Sequence, residues 1–158
     1  MKIIFLTEGS KEIGFGHITR CISLYDAFHK RGVTPQFIIN GDQSVQSLLN
    51  RKNYIILDWI VEKEIFYYLL ENADCVIVDS YLISNKLCNQ ISDIVKTPVF
   101  IDFIQKRKYK RGIVIDGSIA ESKFIYEREI CYLKGIEYVM LREEFNKIPP
   151  RVIKKDIE

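Results

Sequence analysis

Histidine is scarce in this chain: there are two, His17 and His29, and neither has a second histidine or a Cys-x-x-Cys pair beside it. The four cysteines (Cys21, Cys75, Cys88 and Cys131) are scattered, which excludes the ligand spacing of a zinc site and points to reduced, structural thiols. An excess of one charge is also missing. Lys and Arg number 23 against 21 Asp and Glu, so a net charge of +2 gives no reason to expect a nucleic-acid partner. No apolar run approaches the ~20 residues a transmembrane helix needs. The N-terminal Met1-Lys2-Ile3-Ile4-Phe5-Leu6 is too short for a signal peptide, and polar residues follow it at once. These absences point to a cytoplasmic globular domain. There is no internal repeat and no low-complexity segment.

What is present is alternation. Short apolar runs at residues 2–7, 36–40, 54–58, 74–79, 99–103, 112–116 and 138–141 predict strands. Helical patterns over 17–31, 43–51, 62–72 and 84–95 lie between the earlier ones, the first closed by Gly32 and the last opened by Ser84. Strand and helix alternating four times over predict an α/β fold, a Rossmann-like doubly wound parallel sheet covered on both faces. With 158 residues the chain holds one such domain, assigned to residues 1–146. Pro149-Pro150 and the polar tail beyond read as an interdomain linker over 147–158, with no second domain following.

In open sheets of this kind ligands bind beyond the carboxyl ends of the strands, where strand order reverses. Two segments fall there. Gly14-Phe15-Gly16-His17-Ile18-Thr19 follows the first strand and opens the first helix. It is not a dinucleotide cradle: the third glycine of Gly-x-Gly-x-x-Gly is replaced by Thr19, the loop is long, and no Gly-Lys-Ser/Thr occurs elsewhere. His17 at the helix start sits where backbone partial charge disfavours imidazolium, so a neutral ring can act as a general base; local packing or capping is the alternative. Arg20, one turn on, shares that mouth or is a solvated helix residue. Asp79-Ser80-Tyr81 follows the fourth strand, where a carboxylate and a phenol bind sugar hydroxyls or where Asp79 merely stabilises the turn. His29 has a sufficient explanation at a helix C-terminus. The basic run 105–111 can attract a phosphate, although a solvated loop explains it as well.

Together these residues resemble a known family. Ile13-Gly14-Phe15-Gly16-His17-Ile18-Thr19-Arg20-Cys21 is similar to the Ile-Gly-x-Gly-His-x-x-Arg-Cys signature of the UDP-sugar hydrolases of pseudaminic acid synthesis, shared with spore-coat polysaccharide proteins. Val78-Asp79-Ser80-Tyr81 resembles the family's Val-Asp-x-Tyr, and Phe100-Ile101-Asp102 falls where it has Ile-Asp-Asp. The segment from Gly135 to Phe145 resembles Gly-x-x-Tyr-x-x-Leu-Arg-x-Glu-Phe and contains Arg142. Four matches in order span the chain.

The resemblance implies the N-terminal half of a GT-B architecture, whose second domain holds the nucleotide and would be supplied in cis or in trans. It implies a UDP-linked deoxyamino sugar, UDP-2,4-diacetamido-2,4,6-trideoxy-β-L-altropyranose, as substrate, and water attack at the anomeric carbon with release of UDP. No cofactor and no metal would be needed. His17 would be the base, Tyr81 would line the sugar pocket, and Gly14, Gly16, Arg20, Asp102 and Arg142 would complete the substrate-binding set. The chain departs from the family pattern at Leu6 (arginine), Glu8 (aspartate), Phe103 (aspartate) and Asp116-Gly117-Ser118 (Asp-Gln-Asn). A GT-B glycosyltransferase and a non-catalytic sugar-binding module are the alternative functions. Product analysis separates the first, and the effect of His17→Ala on turnover separates the second.

Overall fold

The computed structural model of the chain describes residues 1–103, 107–119 and 128–149. Seven strands form one all-parallel sheet: β1 (Ile3–Gly9), β2 (Gln36–Gly41), β3 (Tyr54–Ile56), β4 (Cys75–Asp79), β5 (Thr97–Ile101), β6 (Gly112–Asp116) and β7 (Ile130–Lys134). Their order across the sheet is β3-β2-β1-β4-β5-β6-β7, so the chain winds outward from β1 in one direction and then returns to build the other half from β4. That is the doubly wound, Rossmann-like arrangement expected from the alternation.

Side-chain parity along the strands builds two cores. Ile4, Leu6, Ile38, Val76, Val78, Phe100 and Val114 point to one face, where they pack against α2 (Lys63–Leu70), α3 (Asn85–Ile94) and the fully buried Trp59. Ile3, Phe5, Phe37, Ile39, Ile77, Val99 and Ile101 point to the other, covered by α1 (Gly16–His29) through Ile18, Cys21 and Tyr25. Full burial of each such side chain contributes on the order of 1.5–3 kcal/mol, which fixes both the register and the faces.

The helix boundaries follow local chemistry. α3 starts where the Ser84 hydroxyl accepts the Leu87 N–H at 3.2 Å, as its sequence indicated. α1 ends where Gly32, at φ 77°, reverses the chain and donates its N–H to His29 O at 3.0 Å. Two glycines are required by close approach. A Cβ on Gly41 would lie 2.1 Å from Gly9 O, and one on Gly9 would lie 2.4 Å from the Ile18 side chain. α1 therefore sits directly on the end of β1.

Two sequence expectations are corrected. Residues 138–141 are not a strand; a 3₁₀ turn covers Ile136–Tyr138, and Val139 and Met140 are apolar because they pack over Gly117 and the α1-side core. The seventh strand is instead Ile130–Lys134, paired with β6 from Gly112↔Ile130 to Asp116↔Lys134. Residues 43–51 form a 3₁₀ helix over Gln43–Ser47 rather than an α-helix, begun by Asp42, whose carboxylate accepts the Ser44 N–H at 2.8 Å. The linker from residue 150 onward, and residues 105 and 106 of the basic run, lie outside the described residues.

Candidate active site at the switch point

β1 lies between β2 and β4, so the order reverses there and the carboxyl ends of β1 and β4 bound a crevice. Thr7 and Asp79 are register partners at that edge, and the Thr7 hydroxyl donates to Asp79 O at 2.9 Å. The Asp79 carboxylate, 1 % exposed, is the centre of the site. Residues 17, 20 and 21 lie on one face of α1, and all three side chains meet it. His17 Nδ1 is 2.6 Å from Oδ1; Arg20 donates Nε to Oδ2 at 2.6 Å and Nη2 to Oδ1 at 2.7 Å; the Cys21 thiol is 3.8 Å from Oδ2.

This geometry assigns the histidine tautomer. A carboxylate at 2.6 Å only accepts, so the hydrogen belongs on Nδ1, although Arg20 Nη2 also stands 3.1 Å from that nitrogen. Nε2 is then the free basic nitrogen. It stands 3.8 Å from Glu8 Oε1, beyond a direct hydrogen bond. A proton taken up at Nε2 would create an imidazolium flanked by two carboxylates, with Arg20 balancing part of their charge. Burial works against the Arg20 charge, but hydrogen bonds and attraction from Asp79 more than offset it and raise the pKa of the guanidinium. Burial, followed by the negative charge of Asp79, pushes the Cys21 thiol well up, so it stays a neutral, weak donor.

Around this cluster the loops leave room. Gly14 takes φ 83° and closes a short turn with Ser10, whose carbonyl accepts the Gly14 N–H at 2.9 Å. A Cβ on Gly16, the first residue of α1, would meet nothing within 4 Å. The Tyr81 ring stands edge-on to the His17 imidazole, 4.5 Å between centroids at 88°. Arg20 lies over the Phe103 ring at 4.7 Å.

Of the residues singled out from the sequence, Gly14, Gly16, Arg20 and Tyr81 gather with His17. Two do not. Asp102 is turned to the α3 face, where it accepts the Tyr109 hydroxyl at 2.8 Å; burial, then Asp102, push that phenol far above its usual range. The neighbouring Phe103 faces α1 instead, because adjacent residues at a strand end alternate faces. Arg142 stacks its guanidinium on Phe145 at 5.3 Å and lines a cavity of about 280 Å³ against the outer flank of α1, with Ile22, Asp26 and Lys30. Asp79, read from the sequence as a sugar ligand or a turn stabiliser, is instead the hub that pairs His17 with Arg20, and the structure adds Glu8 as the second carboxylate. The sequence signals for Glu8 were its place just after the apolar run 2–7 and its standing where the family pattern has aspartate; the structure puts it inside β1.

Fold and site together define a Rossmann-like α/β domain with a His–Asp–Arg cluster at its topological switch point. Among the described residues no group of His, Cys, Asp and Glu is arranged to hold a metal ion, and no helix is long and apolar enough to cross a membrane. No protein-family model matches the chain. It is similar to an uncharacterized protein of Methanocaldococcus jannaschii, 25% identical over 163 residues that cover 98% of this chain and 34% of that protein. The chain thus spans about a third of the length of the curated relative it matches.

Proposed function

We propose that this domain is the N-terminal, sugar-side half of a cytoplasmic sugar-nucleotide hydrolase, with a UDP-linked deoxyamino sugar as substrate. The observation that carries it is the His17–Asp79 pair: a carboxylate on Nδ1 leaves Nε2 as base at the open end of the sheet, beside Tyr81 and the empty space over Gly16. Water held there loses a proton to Nε2 as its oxygen bonds to the anomeric carbon. The bond from that carbon to the diphosphate oxygen breaks, and its electron pair leaves with UDP. The proton on His17 then passes to solvent. Asp79 and Arg20 take no part in bond making; they hold the ring in its tautomer and orientation. The nucleotide end of the substrate is held by a further domain, in cis or in trans, of GT-B type.

The test is UDP release from UDP-2,4-diacetamido-2,4,6-trideoxy-β-L-altropyranose by the whole protein, with the products separated by chromatography. His17→Ala is expected to lower kcat on the order of 10²–10⁴-fold, the usual worth of general base catalysis, with free sugar as the co-product in the parent. Unchanged turnover in His17→Ala would refute the assignment of the base. A new glycosidic bond in place of free sugar would make the protein a transferase.

A further inference from the structure

Glu8 is buried, 3 % exposed, and the proposed chemistry gives it no proton to move. Its oxygens are instead occupied by a short turn after β4. Oε1 accepts the Tyr81 N–H at 2.7 Å, and Oε2 accepts the Leu82 N–H at 3.2 Å and the Ser80 hydroxyl. Ser80 Oγ in turn accepts the N–H groups of Leu82 and Ile83 at 3.0 and 3.2 Å. A carboxylate is the side chain suited to this, because it presents several acceptors and no donor. From the other side, Arg107 donates Nε to Ile83 O at 3.1 Å and Nη2 to Tyr81 O at 3.0 Å. The planar guanidinium thus bridges two carbonyls of the same turn.

Tyr81 is therefore held at both ends of its own backbone, its amide by β1 and its carbonyl by the segment after β5. The residue is 60% exposed, yet its ring meets His17 edge-on. With little packing around so exposed a side chain, the fixed backbone sets which rotamers bring the ring to His17. We infer that Glu8 and Arg107 are positioning residues that clamp the Ser80–Ile83 turn and so hold Tyr81 against the His17 imidazole. The geometric part stands by itself; its consequence for turnover rests on the proposed function.

The test combines a geometric readout and a kinetic one on the whole protein. Glu8→Gln turns an amide NH₂ toward the Tyr81 N–H or toward the Leu82 N–H and Ser80 hydroxyl, and Arg107→Met, at a half-buried position, removes the carbonyl clamp and serves as the second variant if Glu8→Gln does not fold. In both, the nuclear Overhauser contact between the His17 and Tyr81 ring protons is expected to be lost or weakened. In Glu8→Gln, hydrogen-exchange protection of the Tyr81 amide is expected to fall about tenfold or more. UDP release is expected to slow in kcat by on the order of 10–100-fold, with KM moving much less. Adding Tyr81→Leu should slow Glu8→Gln no further than Tyr81→Leu alone. Ring contact and amide protection that persist in both variants would overturn the clamp. Slowed turnover with the ring contact intact would overturn it too, by showing that Glu8 acts on His17 directly. If the parent releases no UDP, the proposed function fails, and the ring contact and amide protection still decide the clamp.

Discussion

Replacing Asp79 by asparagine tests the site at its centre. The carboxylate receives His17 Nδ1 and Arg20 Nη2 on one oxygen, and Arg20 Nε on the other, all within 2.7 Å. Asparagine keeps one accepting oxygen and turns an NH₂ toward donors on the other side. Whichever way it faces, at least one bond to the Arg20 cation is lost while that cation stays largely enclosed. Breaking a buried ion pair costs about 3–5 kcal/mol, and because the Arg20 side chain is 24% exposed we take the low end, about 3 kcal/mol. At roughly 2–4 °C per kcal/mol for a chain of this size, the melting midpoint should fall by roughly 6–12 °C. Circular dichroism melts of parent and variant measure this directly. Removing both charges, as Asp79→Asn with Arg20→Met, should recover part of the loss, because no unpaired cation remains. Turnover should not recover with it. Without the carboxylate on Nδ1 the tautomer is no longer enforced, and kcat should stay down by on the order of 10³–10⁴-fold. An Asp79→Asn variant melting within about 2 °C of the parent would refute the ion-pair argument. Full turnover in that variant would refute the tautomer argument.

Other consequences are simpler to measure. Gly41→Ala should destabilise the domain severely, since its Cβ would meet Gly9 O at 2.1 Å, whereas Gly16→Ala should leave the melting midpoint unchanged or raised, because nothing lies within 4 Å. If the space over Gly16 admits substrate, Gly16→Ala should nonetheless raise KM; an unchanged KM would show that the space is unused. Burial pushes the Cys75 thiol up to about 11 and the Cys88 thiol up to about 12, from 9.0. In that window the unfolded chain ionises first, so stability fully present below pH 9 should decline as pH rises through 9 toward 12, visible in urea unfolding at stepped pH. A native alkylating agent near pH 8 should modify the exposed Cys131 and spare the buried Cys21 and Cys88; early loss of Cys88 would contradict its burial.

The sheet was legible because its residues obey local rules. Apolar runs such as Cys75–Asp79 are buried on both faces, and α1 carries its apolar stripe at helical spacing. The places where the sequence misled are instructive. Val139 and Met140 are apolar as in a strand but pack over the sheet end, while Ile130–Lys134 pairs at the sheet edge with Cys131 exposed and the next three residues half-buried. Periodicity records burial, and it does not record hydrogen-bond partners. His17, Arg20 and Tyr81 could be named in advance because each lies just past the carboxyl end of a strand or in the first two turns of the helix that follows one. Asp102 lies at such an end as well, but the alternation of side-chain direction sends it to the α3 face.

By itself, then, the sequence determined the α/β class, the alternation that makes the sheet parallel, and the loop in which His17 sits. These follow from short-range sterics and hydrophobic periodicity. Only the tertiary structure decided that β4 lies against β1, which brings Asp79 and Glu8, far apart in the chain, to either side of one imidazole. Strand order depends on long-range packing across both faces of the sheet. That order, rather than any motif, turns a lone histidine into a paired one.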